Sequence, residues 1–403
     1  MLEHIEYKNP LIIGTGGGND IVSASFILAE FIAQGKSGAI AGMCSPGAWH
    51  LYCGKKEAPI NIVSSNTFRF TDSKTPVELS FIDGFIPALL QKQGVNVPIY
   101  NLSARHGTDI LIDELNSFVK KNGYDGVIAL DVGGDILARG KKDPTILSPL
   151  MDFAALYVVS KLDVPSTLVE FGLQTDGELR PKGCEEIFDE LCSSGVLRQT
   201  ENVSQTKSLD FFKTLYSSVK KVRHGHTAHM TFQTLDAKED IHTEYRFHLQ
   251  IGNKKWKHSF PIVLESKYFG KVFTINVKEL AKTRELAFPF KNSLDQYIKT
   301  KQIVDSKTEL DLLYVRDEDI CLWLGMLCPQ IEGELRREIL QFGLKQNESY
   351  DCALLWAKDH KIVSVGLNAK TVSDFTVIGS NCNKVDKIAK TIEDILKDTI
   401  NPS

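Results

Sequence analysis

The chain has 403 residues, 42% hydrophobic and 24% charged, proportions that exclude a disordered, collagen-like or coiled-coil protein. Its 47 basic and 51 acidic side chains leave a formal net charge of -4, so no general attraction to nucleic acid or to an anionic lipid surface follows. The opening MLEHIEYKNP lacks the basic-then-apolar pattern of a secretory signal, and no apolar run reaches the roughly 18 residues of a spanning helix, so a soluble cytoplasmic protein is expected.

In the first 200 residues short apolar runs alternate with helical patterns, the signature of a parallel sheet covered on both faces. Leu11-Ile12-Ile13 is the first candidate strand, closed by Gly14. From Asp20 to Ala33 the apolar positions Ile21, Phe26, Ile27, Phe31 and Ile32 recur at helical spacing, with Gly35 as a stop. Further strands are predicted at 38–43, 60–64, 97–102, 126–131 and 167–171, with helices over 85–93, 109–121, 149–161 and 184–192. After about Asn202 the texture changes. A helix over 209–222 leads into polar and aromatic alternation at 245–249 and 271–275, which reads as a smaller α+β part with hairpin strands. Beyond 315 come a helix at 320–342, strands at 352–356 and 362–365, and a last helix at 385–396. The expected division is a Rossmann-like three-layer α/β domain with a mainly parallel sheet over 1–205, an α+β part over 206–316 and a C-terminal α/β extension over 317–403.

Eight cysteines without a CxxC pair suit neither a disulfide scaffold nor a zinc ribbon. Cys44 follows a strand and could be a nucleophile, but no partner base is identifiable, and a small apolar residue is the plainer reading. In Arg223-His224-Gly225-His226-Thr227-Ala228-His229, His226 and His229 would share a helical face, yet Gly225 and the missing acidic or sulfur ligands argue against zinc.

Chemistry concentrates at strand ends. Gly14-Thr15-Gly16-Gly17-Gly18-Asn19-Asp20 joins a buried strand to a helix N-terminus, where glycines and the helix dipole suit a phosphate or carboxylate. The spacing is not a dinucleotide fingerprint, because Asn19 stands where a glycine is needed and the second strand ends without a ribose-binding acid. Asp131-Val132-Gly133-Gly134-Asp135 closes another apolar strand, and its carboxylates suit Mg2+ or a general base, the alternative being a turn capped by Asp131. Glu170, Asp176, Glu178 and Asp152 would share the same rim. So many acids need a metal, protonated members or basic partners such as Arg105, Arg139 and Arg180. Asp20, Asp131 and Asp135 are the strongest catalytic candidates. Arg105 and His106, after another strand, are candidate anion or acid/base groups, and Ser148 before Pro149 makes a good helix start.

At these residues the sequence resembles the uncharacterised family DUF1152. The resemblance is carried by GTGGGNDIVSA, by GVIALDVGGDILARG followed by ILSPLMDFAAL, by VEFGLQTDGEL, and more weakly by KTELDLLYVRD, and it spans about 10–316. It implies a Rossmann-like α/β architecture and a shared site built from Gly14, Gly16, Gly17, Gly18, Asn19, Asp20, Asp131, Gly133, Gly134, Asp135, Ser148, Asp152, Asp176 and Glu178, with no established reaction. Asn19 replaces the first of the two acids that usually end the family's glycine run.

Together these features lead to an enzyme, a transferase or hydrolase, acting on a phosphorylated or nucleotide-like small molecule. The glycine loop would hold the anion, and Asp131 and Asp135 would hold Mg2+. A metabolite-binding regulatory module without catalysis is the alternative, and an NAD-dependent oxidoreductase is disfavoured. A homo-oligomer, or a protein partner engaged through 317–403, is compatible with the sequence.

Overall fold

A computed structural model of the chain describes residues 2–16, 20–44, 60–64, 67–70, 86–104, 107–143, 146, 150–203, 208–222, 226–251, 254–285 and 287–289, and the strands at 313–316, 351–356, 362–367 and 374–377. In chain order it runs β1 (Pro10–Gly14), α1 (Asp20–Ala33), β2 (Ala39–Cys44), β3 (Ile60–Ile62), β4 (Thr67–Phe70), α2 (Ile86–Lys92), β5 (Ile99–Ser103), α3 (Thr108–Asn122) and β6 (Gly126–Val132). It continues through α4 (Leu150–Ser160), β7 (Ser166–Phe171), α5 (Pro181–Ser193), β8 (Leu197–Asn202), α6 (Ser208–Val222) and α7 (His226–Thr234). The hairpin β9 (Ile241–Ile251) and β10 (Lys254–Leu264) follows, then β11 (Lys271–Ile275), α8 (Val277–Thr283), β12 (Leu313–Arg316), β13 (Asp351–Trp356), β14 (Ile362–Leu367) and β15 (Asp374–Val377).

The principal sheet has nine strands in the order β3-β4-β5-β2-β1-β6-β7-β11-β8. The central strands β5, β2, β1, β6 and β7 are mutually parallel, and antiparallel strands extend both margins. β1 (PLIIG) and β6 (GVIALDV) are buried along their whole length, as expected of strands covered on both faces. The chain first builds outward from β1 through β2 to β5, then crosses back to place β6 on the other side of β1. Strand order therefore reverses between β1 and β6, where open α/β sheets place their ligands.

Helices cover both faces, giving three layers. On one face α3, α4, α5 and α8 enclose Leu11, Ile13, Leu115, Phe153, Leu156, Leu168 and Ile187. On the other, α1, α2 and α6 enclose Ile12, Phe26, Phe31, Ile128, Phe171 and Phe212. There the Phe26 ring lies 5.1 Å from Phe212 and 5.6 Å from Phe171, tying α1 to both α6 and β7. Helix α3 stops at Gly123, whose left-handed φ of +68° lets its N–H reach back to Val119 and Lys120 carbonyls.

The pairing crosses the divisions read in the sequence. Helix α6 packs on the principal sheet, and β11 lies between β7 and β8, so the first sheet is not complete at residue 205. A second, six-stranded sheet in the order β10-β9-β15-β14-β13-β12 joins the hairpin to strands on both sides of residue 316. The helices expected at 320–342 and 385–396 lie outside the described residues.

Candidate acidic site at the strand-order reversal

Strand register builds the site. Gly14 pairs with Leu130, so the chain leaving β1 passes directly beside Asp131 on β6. Asp131 in turn pairs with Glu170 on β7, and cross-strand partners project from the same face of a sheet. Asp20 opens α1, and Asp152 lies in the first turn of α4. One carboxylate oxygen from each of Asp20, Asp131 and Asp152 lies within 4.8 Å of the others, although these residues are 5%, 1% and 1% exposed. Glu170 is fully buried, while Asp135 and Asp176 retain partial exposure.

Among the described residues the nearby donors serve the carboxylates. Gly16 N–H donates to Asp20 Oδ2 at 2.5 Å, and Gly134 N–H donates to Asp131 Oδ2 at 3.1 Å. The Thr15 hydroxyl has one proton for three acceptors: Leu130 O at 3.1 Å, and Asp20 Oδ2 and Asp131 Oδ1 at 3.4 Å each. Glu178 N–H caps Asp176 Oδ1 at 2.9 Å. Among the described residues Asp152 Oδ1, both Glu170 oxygens and Asp176 Oδ2 are buried with no hydrogen-bond donor. Among the described residues no salt bridge reaches Asp131, Asp152, Glu170 or Asp176. Arg139 does not serve as the rim's counter-charge, because its guanidinium is engaged by Asp143 at 2.6 Å and Glu186 at 3.0 Å. Arg180 donates through Nη1 to Pro261 O.

Burial and crowding together favour the neutral acids. Burial first, then the charges of Asp152 and Asp131, holds Asp135 well above the usual carboxylate range. Asp152 is raised by burial and then by Asp131 and Asp20, and Glu170 by burial and then by Asp131. Burial pushes Asp176 up to about 7, against the lowering effect of the Glu178 N–H and with the Asp131 charge adding to the rise.

The glycines make room for these acids. A Cβ on Gly14 would stand 2.9 Å from Asp20 Cβ, and one on Gly16 would stand 2.9 Å from Asp20 Oδ2 and 3.0 Å from Asp152 Oδ1. Gly133, at φ +124°, would place a Cβ 2.6 Å from Asp176 Oδ2. The described part of the first loop thus holds an internal carboxylate, whereas the sequence reading had its N–H groups facing an anionic ligand. Gly17, Gly18, Asn19, Arg105, His106 and Ser148 lie outside the described residues, as does the side chain of Cys44.

Sequence reasoning did not single out Thr15 or Gln174. Gln174 is buried and adopts φ +70°, rare for a residue with a side chain. Its N–H donates to Gly133 O at 2.7 Å, and its amide group pairs at two points with Glu265, each at 2.9 Å. It therefore fixes the loop after β7 against the loop after β6. Glu170 had a readable signal, a lone charge within the apolar strand STLVEF. In α7, which begins at His226, His229 bonds the Tyr216 hydroxyl at 2.9 Å and Gln233 at 3.1 Å, so both ring nitrogens are engaged within the protein.

Fold and site define a three-layer α/β protein with carboxylates gathered where its strand order reverses. Residues 11–221, more than half of the chain, match the family described as "Protein of unknown function (DUF1152)", and the chain belongs to that family. The matched segment contains all six carboxylates of the site, Asp20, Asp131, Asp135, Asp152, Glu170 and Asp176. No curated protein and no solved structure matches the chain. Among the described residues no helix is long and apolar enough to cross a membrane.

Proposed function

We propose that this chain is a divalent-cation-dependent enzyme, a transferase or hydrolase, acting on a phosphorylated or nucleotide-like small molecule. The observation that carries the reading is the buried group Asp20, Asp131 and Asp152 at the strand-order reversal, with Asp152 Oδ1 lacking a donor among the described residues. An all-oxygen, carboxylate-rich donor set suits a hard cation such as Mg2+. Asp20, Asp131 and Asp152 would hold it, with Gly16 N–H orienting Asp20 and Gly134 N–H orienting Asp131.

A bound cation supplies positive charge that offsets the developing charge of a phosphoryl or carboxyl group. The acids alone repel such a substrate, so a phosphate would approach them as a cation complex. The glycine loop supports it by allowing close approach. Thermal melts of the full chain with Mg2+ or Mn2+, alone and with nucleotides or sugar phosphates, test the reading. The expected result is stabilisation by the cation, increased by one phosphorylated ligand and absent in Asp152→Asn. No shift with any cation or ligand would sink the proposal. Binding without consumption, followed by phosphorus NMR, would transfer the site to a metabolite-binding module.

A further inference from the structure

We propose that Arg284, a residue outside the matched span, is a positioning residue of the acidic site, holding the Asp131 carboxylate in line with a bound cation through Leu137 and Gly134. The inference rests on the proposed function and deepens it. Arg284 directly follows α8, and it is buried, with 3% of its surface exposed. Its Nε donates at 2.8 Å to the carbonyl of Leu137, the last residue of the short turn Asp135–Leu137. Leu137 N–H donates to Gly134 O at 3.0 Å, and Gly134 N–H donates to Asp131 Oδ2 at 3.1 Å. Three successive hydrogen bonds thus join the guanidinium, residue by residue, to one of the clustered carboxylates. Leu137, Gly134 and Asp131 are all buried, so water does not compete for these bonds.

Stability alone does not explain a buried arginine here. Among the described residues its one carboxylate partner is the partly exposed Glu190, 2.6 Å from Nη1. Nη1 also donates to Thr283 Oγ1 at 3.0 Å, and Nη2 has no partner among the described residues. Burying a guanidinium is costly, and a well-packed apolar side chain often stabilises a fold at least as well. What an apolar side chain cannot supply is the directed donor on Leu137 O. That donor reaches the turn from the end of α8, while Gln174 N–H holds Gly133 O at 2.7 Å from the loop after β7. Residues 133–137 are therefore fixed at both ends, and they carry the Gly134 N–H that orients Asp131 Oδ2. Groups that orient a ligating carboxylate are worth about tenfold or more in metal affinity.

Mn2+ bound to the full chain reports the ligand geometry through its electron paramagnetic resonance spectrum, and titration calorimetry gives its affinity. In Arg284→Met the bound-ion spectrum should change and the affinity should fall by about tenfold, with the melting temperature of the metal-free protein little altered. Glu190→Gln removes the ion pair but keeps the donor on Leu137 O, so it should retain the wild-type spectrum and affinity. A wild-type spectrum and affinity in Arg284→Met, or equal losses in the two variants, would overturn the inference while leaving the proposed function intact. A wild type that binds no cation removes both. Should Arg284→Met fail to fold, hydrogen exchange of the wild type provides a second reading. Mg2+ is expected to slow exchange at 280–285 as well as at 131–138, and protection confined to 131–138 would overturn the inference.

Discussion

Gly16 and Asp152 meet across the reversal point: a methyl group on the first would stand 3.0 Å from Oδ1 of the second. Gly16 itself is exposed, so space toward the carboxylates, and not core packing, excludes a side chain there. Gly16→Ala should therefore fold with nearly unchanged thermal stability and lose cation affinity by about tenfold or more, equivalent to roughly 1.4 kcal/mol. Titration calorimetry with Mn2+ on the folded variant checks this, and full affinity would show that the loop tolerates a Cβ.

The clustered acids set a pH dependence of opposite sign to that of an ordinary salt-bridged protein. Folded-state values above the unfolded value near 4 mean that the folded chain binds more protons than the unfolded one. For Asp176 this window runs from about 4 to about 7, so its contribution to stability is fully present below the window and is lost as pH rises through it. Asp135, Asp152 and Glu170 act in the same direction. The metal-stripped protein should melt at a lower temperature at pH 8 than at pH 5, with Mg2+ restoring the loss at pH 8. A melting temperature independent of pH would contradict the arrangement.

Replacing one acid by its amide should separate stability from cation binding. Asp152→Asn removes a buried charge that faces Asp131 and Asp20, so the metal-free variant should melt higher than the wild type at pH 8. A rise of about 2–4 °C would correspond to roughly 1 kcal/mol for a domain of this size. The same variant should show no stabilisation by Mg2+. Lower metal-free stability would mean that Asp152 earns its place through contacts other than cation binding.

Gln174 offers a paired test of strain against clamping. Gln174→Ala and Gln174→Gly both remove the two-point pairing with Glu265, but only glycine relaxes the φ of +70°. The alanine variant should be the less stable of the two by about 1 kcal/mol in urea unfolding. Equal stability would remove backbone strain from the account of this loop.

Phe26 links helix α1 to α6 and β7 through its contacts with Phe212 and Phe171. Phe26→Ala should cost about 3–5 kcal/mol in denaturant unfolding, as a large fully buried ring replaced by a cavity does. A loss below 1 kcal/mol would show that this face of the sheet can collapse around the gap.

Local patterns foretold much of the principal sheet, because β1, β2, β5, β6 and β7 are apolar runs bounded by glycine or polar turns. Helix α1 follows the expected 20–33 range at both ends. Strand β8 carries no apolar periodicity, because LRQTEN is a polar margin whose residues are all exposed or only partly buried. The insertion of β11 between β7 and β8 depends on pairing between residues far apart in the chain, which periodicity cannot report. The convergence of Asp20 with Asp131 follows from their places at the start of the helix after β1 and at the end of its parallel neighbour β6. From the sequence Asp152 is one rim acid among several, and Asp135 stands ahead of it as a metal ligand. The structure instead brings Asp152 into the tight group, because the first turn of α4 delivers its carboxylate over β1 while Asp135 begins a short turn beside it.

The late arrival of β11 has a bearing on how the fold can be shortened. The span that carries family membership closes at 221, yet the ribbon seated between β7 and β8 is drawn from 271–275. Cutting after the matched span would leave two adjacent strand borders with unclaimed amides and carbonyls, an open invitation to self-association. The stretch that names the lineage is thus narrower than the stretch that must fold with it, and any minimal version of this protein has to reach past Ile275.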